Sequence, residues 1–246
     1  FTVAVTLVSK TLSSNSWAVI KAVSDAGQGA NYWSIGDTKS VTINGKVGAT
    51  TISSLKVDAF IIGFNHNSGK EGSNRIHFLL GKISGKFVGL VDSSYSGTTS
   101  TSGAFTMNTS NTNSGGWGSS QMRSKVLGSA SSPTSPTANT LLAALPSDLR
   151  AVMKSCTKYT DNNGVENAAV VEDVSNKGGG NPASNVSSTT DYLFLLSEYE
   201  VFATHQYCND AEPNYQAQYD YFKAGNSKVA NKHSATGTAA VWWLRS

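Results

Sequence analysis

Alternating apolar and polar positions open the chain. Phe1, Val3, Val5 and Leu7 fall on one side and Thr2 and Thr6 on the other, which predicts a half-buried strand within residues 1–13, a strand or linker from a preceding module. The spacing then lengthens to that of a helix. Asn15 or Ser16 is placed to cap it, Trp17, Ile20 and Ser24 share one face with Val19 and Val23 beside them, and Gly27 and Gly29 end it. Val41-Thr42-Ile43, Asn44-Gly45 and Lys46-Val47 predict a hairpin with a type I′ turn, because Asn-Gly supplies its two positive-φ positions. Residues 57–64 and 76–80 are further strands, the first too continuously apolar to lie at an edge, and 86–91 is another.

Between 92 and 120 the chain turns to Ser, Thr, Gly and Asn, interrupted by Tyr95, Phe105, Met107 and Trp117. Such large apolar residues predict an ordered loop pinned by side chains rather than a solvated linker. Helical spacing returns with Met122, Val126 and Leu127, breaks across 131–136, and resumes as two short helices separated by Pro146. The tract 161–182 is rich in Gly and Asn and reads as a surface excursion. In 191–203 the run Leu193-Phe194-Leu195-Leu196 predicts a buried strand, and Ser197 with Glu200 forms a Ser-x-x-Glu capping box that starts a helix. Leu195 and Phe202 are expected to face the core, Ser197 and Glu200 to be structural, and loss of the Ser197 cap to cost about 1 kcal/mol. Tyr215, Tyr219 and Phe222 predict an amphipathic helix, and 239–244 a last strand containing a structural Trp242. No solenoid or propeller repeat is visible, and this order of elements argues α+β rather than βαβ.

Composition narrows the functional classes. The 246 residues are only 14% charged but include 23 glycines, so solubility rests on hydroxyls and amides, as is common in secreted or particle-borne proteins. A net charge of +3, with the lysines scattered, does not indicate nucleic-acid binding. Cys156 and Cys208 have no metal or redox spacing, leaving one disulfide or two free thiols open. No basic leader or long apolar run is present, so neither a signal peptide nor membrane insertion is expected, and a chain starting at Phe1 reads as a processed product or a fragment.

Hydrolase chemistry has no foothold: Gly-x-Ser-x-Gly, the phosphate-binding loop and His-Glu-x-x-His are all missing. His66, His77, His205 and His233 are far apart and read as surface or core histidines, so no metal and no cofactor are expected. Asp161-Asn162-Asn163-Gly164 lacks the closing Glu of a calcium loop and reads as a turn. Glu212-Pro213-Asn214 matches the calcium-and-sugar triplet of C-type lectins, but without their downstream Trp-Asn-Asp it reads as Pro213 opening a helix. The aromatics at element ends and in loops are the better binding candidates: Tyr32, Trp33, Tyr95, Trp117, Tyr207 and Trp243.

The terminal Trp242-Trp243-Leu244-Arg245-Ser246, the segment Trp117-x-x-Ser120-x-Met122-Arg123, Leu145-Pro146, and the junction Leu196 through Phe202 together resemble domain-of-unknown-function family 6273, over roughly residues 14–246. The resemblance implies a single C-type-lectin-like domain, of the branch that includes formylglycine-generating enzymes and phage tropism determinants. It also implies a source among gut Firmicutes and their phages and prophages. Members normally continue past Trp-Trp-Leu-Arg-Ser, so a chain stopping at Ser246 is expected to lack the usual C-terminal segment. Cys156 and Cys208 do not match the copper-binding cysteines of the enzyme branch, so an oxidase is the least favoured reading. The leading expectation is a non-catalytic virion surface protein, tail- or capsid-associated and oligomeric. Its partners would be other virion subunits or a host cell-surface glycan or protein; the alternative is a secreted or wall-attached bacterial adhesin.

Overall fold

The computed structural model describes residues 7–48, 50–90, 105, 107–108, 114–164 and 181–245. The opening strand up to residue 6, Tyr95, most of the polar tract and the middle of the 161–182 excursion lie outside the described residues. In chain order the elements begin with helices α1 (Trp17–Asp25) and α2 (Gly29–Tyr32), then strands β1 (Thr38–Val47) and β2 (Thr50–Phe64). Helix α3 (Ser68–Glu71) leads to β3 (Ile76–Ile83) and β4 (Lys86–Phe87). Short helices α4 (Gly116–Ser119), α5 (Leu141–Ala144) and α6 (Ser147–Arg150) follow, with a wide helical turn over Met122–Leu127 after α4. The hairpin of β5 (Cys156–Asp161) and β6 (Val186–Asp191) precedes α7 (Glu198–Phe202), α8 (Asp220–Lys223) and the pair β7 (Ala230–Asn231) and β8 (Ala239–Ala240). Helices and antiparallel sheets together make the fold mixed α+β.

The main sheet is antiparallel in the order β1-β2-β3-β4, which places β2 in the interior as its unbroken apolar run requires. Successive side chains of a strand point to opposite faces, and β2 uses both. Val57, Ala59 and Ile61 enter one core with Trp17, Ile20, Leu141 and Leu142, while Phe60 and Ile62 enter a second with Leu196, Val201, Tyr219 and Phe222. The main core reaches back to Leu12, which is 2% exposed. Helix α1 starts where expected, with Ser16 Oγ accepting from the Val19 N–H.

Several expected elements differ. Asn44-Gly45 does not turn the hairpin: it is a bulge inside β1, where the register shifts between Ile43 and Gly45 and Asn44 Oδ1 accepts from the Ser54 N–H at 3.1 Å. The reversal comes later, where Gly48 has φ +59°. A Cβ on Gly45 would stand 3.4 Å from Ala144 Cβ, so the glycine lets α5 lie against the bulge, and packing overrides the local turn preference. The run 193–196 is not a strand. It leaves β6 as an irregular segment, with Leu193, Phe194 and Leu195 half-buried against the main core and Leu196 in the second. The Tyr215 helix is reduced to a 3-10 turn over Glu212–Asn214 and to α8, because Tyr219 N donates to Glu200 O rather than continuing a helix. Only Ala239–Ala240 of the last strand pairs, and β4 ends at Phe87.

Candidate functional site

The capping box sits at the centre of a buried polar cluster. Ser197 Oγ accepts from the Glu200 N–H and Glu200 Oε2 accepts from the Ser197 N–H, fixing the Glu200 side chain in the interior at the start of α7. Arg245 reaches it from the C-terminal segment, donating to Glu200 Oε2 at 2.6 Å and Oε1 at 2.9 Å, a fork that a planar guanidinium can make and an ammonium cannot. The same guanidinium donates to Thr160 Oγ1 on β5 and to the Leu195 carbonyl, while the Arg245 N–H donates to the Leu196 carbonyl. The irregular 193–196 run is therefore held through its backbone carbonyls.

Lys158, an inward-facing residue of β5 that is 1% exposed, joins this pair to a second group. Its ammonium donates to Glu200 Oε1 at 2.8 Å, to Glu71 Oε2 at 2.6 Å and to the Tyr219 hydroxyl at 2.9 Å, and stands 4.4 Å from the centre of the Phe194 ring. Glu71 closes α3; its Oε2 also accepts from Cys156 Sγ at 3.3 Å. The Tyr219 hydroxyl is 2.9 Å from His77 Nδ1, and its ring stacks on His66 with centroids 3.6 Å apart. Gly63 makes room for this stack, since a Cβ there would come within 3.1 Å of the Tyr219 ring. Two carboxylates and two cations thus meet in the interior, formally balanced, as buried charges must be.

Each ionisable group is shifted in a sense its surroundings explain. Burial alone would raise the Glu200 carboxyl, but Arg245 and Lys158 outweigh it and hold it far below the carboxylate range. Arg245 is correspondingly raised by Glu200 against the effect of burial. Glu71 lies the other way: burial raises its carboxyl and Lys158 offsets only part of that. Burial lowers His66 to about 4 and His77 well below its ordinary value, with Lys158 adding to both, so both rings are neutral at pH 7. The Cys156 thiol is pushed up to about 12 by burial. Cys156 and Cys208 are buried free thiols.

A cavity of about 180 Å³ lies beside the cluster. Its walls are mostly apolar, with Trp17, Ile20, Met153 and Phe194 among them, and His77 and Cys156 join them from the cluster.

The candidate binding residues separate into core and surface. Trp33 and Trp117, expected at binding loops, are core residues at 3% and 1% exposure. Trp33 Nε1 donates to the Ser9 carbonyl, and Trp117 Nε1 donates to Asp191, which also takes Arg123 at 2.9 Å. Tyr32 is half-buried under Lys10, whose ammonium is 4.7 Å from its ring centre. Tyr207 and Trp243 are 48% and 46% exposed, and Tyr95 lies outside the described residues. Trp242 is half-buried with its ring edge-to-face on Phe87 at 5.1 Å. Phe202, expected inside, is 39% exposed; Val201 takes the inward position because α7 is barely more than one turn and presents only one residue of the pair to the core. Glu212 is buried, and its carboxylate accepts from the Asp161 N–H and from Gln216 Nε2, so the lectin-like triplet is part of the internal bonding. Asp161 Oδ1 closes its expected turn by accepting from the Asn163 and Gly164 N–H groups.

Sequence reasoning missed His66, Glu71, His77, Lys158 and Arg245 as a group. Only the Glu200 cap was visible, since 87 residues separate Lys158 from Glu71 and no spacing rule connects them. Among the described residues no helix is long and apolar enough to cross a membrane.

Comparison with curated proteins and with solved structures finds no match. The family model described as Domain of unknown function (DUF6273) matches residues 99–246, a span that begins later than the motifs suggested but contains Trp117, Arg123, Ser197, Glu200 and Arg245. That match covers more than half of the chain, and the protein belongs to this family.

Proposed function

We propose that the protein is a non-catalytic display and recognition domain on the surface of a bacteriophage particle, whose loops contact a glycan or protein of the host envelope. The observation that carries the recognition role is where large apolar side chains are left in solvent. Apart from Leu7, the exposed ones among the described residues all fall between 202 and 243: Phe202, Tyr207, Val229, Val241 at 91% and Trp243. Exposed aromatics with few rotors bind flat ligand faces at low entropic cost. The ion pairs of Glu200 and Glu71 with Arg245 and Lys158 support a scaffold role for the cluster. The virion location and a lectin-like fold rest on the resemblance of the family motifs to phage and prophage proteins.

The test is binding of purified protein to host cells and to isolated envelope glycans, with Tyr207→Ala and Trp243→Ala beside it. Wild type should bind and the variants should lose at least tenfold in affinity while melting as wild type does. A wild-type protein that binds neither cells nor glycans, or variants that bind equally well, would overturn the recognition role. Recovery of the protein in cell-wall fractions instead of purified particles would overturn the virion location.

A further inference from the structure

We propose that Glu71, His77 and Cys156 form a site for a divalent metal ion of the zinc class, tying α3, β3 and β5 together beside the apolar cavity. One donor atom from each residue, a ring nitrogen, a thiol sulfur and a carboxylate oxygen, lies within 4.8 Å of the other two, and all three residues are buried. Zinc takes this mixture of nitrogen, sulfur and oxygen donors, and three protein ligands leave its fourth position open. Bringing donors 4.8 Å apart or less onto one ion needs shifts of about 1 Å, given metal–ligand distances of about 2.0–2.3 Å.

A second, independent observation is the orphaned nitrogen of His77. Its Nε2 is buried without a hydrogen-bond partner among the described residues, in a side chain only 6% exposed whose Nδ1 is already engaged with the Tyr219 hydroxyl. Unpaired buried nitrogens are costly and rare in native interiors. A metal held by Nε2 would resolve it, leaving Nδ1–H to donate to Tyr219, the arrangement that orients metal-bound histidines generally.

Cys156 binds as thiolate. The metal–sulfur bond forms as the S–H bond breaks, and the proton now shared with Glu71 Oε2 leaves to solvent. Lys158 keeps its bond to the same carboxylate and to Glu200, and the one net positive charge the cluster gains would be balanced by hydroxide in the open position, since metal-bound water deprotonates readily. His77 and Cys156, but not Glu71, line the cavity, so the open fourth position lies toward it and takes water or a small donor ligand.

Cobalt(II) is the probe, because its thiolate complexes absorb in the near ultraviolet and its tetrahedral complexes absorb strongly in the visible. The full chain, stripped with a chelator and titrated with Co²⁺, should bind one equivalent with a thiolate band that added Zn²⁺ abolishes. Cys208→Ser should keep the band, which assigns it to Cys156, the other cysteine of the chain. Cys156→Ser should remove it, and His77→Gln should weaken binding at least tenfold. Should Cys156→Ser fail to fold, wild type and Cys208→Ser still decide the matter. Absence of a thiolate band in wild type, its loss in Cys208→Ser, or undiminished affinity in a folded His77→Gln would each overturn the proposal.

Discussion

Arg245→Met is the sharpest perturbation of the buried cluster. Methionine approximates the aliphatic stem but removes the guanidinium, and with it two bonds to Glu200, one to Thr160 and one to the Leu195 carbonyl. Glu200 is fully buried and, among the described residues, would be left with Lys158 as its one cationic neighbour, and the Leu195 carbonyl would lose a donor. Breaking a buried ion pair from one side costs about 3–5 kcal/mol, mostly because the remaining charge stays desolvated. The lost carbonyl bond sits within that range rather than adding to it, since the two losses share one side chain. Urea unfolding followed by tryptophan fluorescence reports the change through the midpoint at constant slope. Glu200→Gln removes the charge that Arg245 balances, so the double variant should fall short of the summed single losses by about 2 kcal/mol. A loss below about 1 kcal/mol for Arg245→Met, or strict additivity in the cycle, would refute the reasoning that this pair locks the C-terminal segment to α7.

Ser197→Ala should cost about 2 kcal/mol in the same assay, twice a simple cap, because Ser197 Oγ also donates to Gln216 Oε1 at 2.6 Å and that buried amide oxygen would be left unpaired. By contrast Lys21→Ala should change stability by less than about 0.5 kcal/mol, since the Lys21–Asp25 pair is 40% and 43% exposed and screened by water. Acid should destabilise the protein in two stages. His66 and His77 are held below their ordinary 6.5, so the unfolded chain takes up protons first: stability is complete above about pH 6.5 and falls toward about pH 4, where His66 titrates in the folded state. The raised Glu71 carboxyl opposes part of this, and below its ordinary 4.5 the depressed Glu200 adds a further loss. Urea midpoints measured across that range should decline, less steeply in His66→Gln; a flat profile would refute the assignment of neutral buried histidines.

Local chemistry was legible where the partners are close in sequence. Ser16 caps α1, Ser197 and Glu200 cap α7, and β2 is an interior strand, each depending on contacts within a few residues or on one strand's own period; the mixed order of strands and short helices reads as α+β. The errors have a common cause. An apolar run such as 193–196 shows that a segment is buried but not what it pairs with, and here its carbonyls are taken by Arg245 instead of a neighbouring strand. Trp33 and Trp117 look like loop aromatics until the fold supplies Ser9 and Asp191 as partners for their ring N–H groups. Asn44-Gly45 carries turn chemistry that the close approach of α5 converts to a bulge. What the sequence determined by itself is therefore the short-range grammar of caps, strands and class. Tertiary structure alone decided that Glu71, His77, Lys158, Tyr219 and Arg245 meet around Glu200, because a buried charge is tolerated only where distant segments bring its counter-charges, and no local pattern records that meeting.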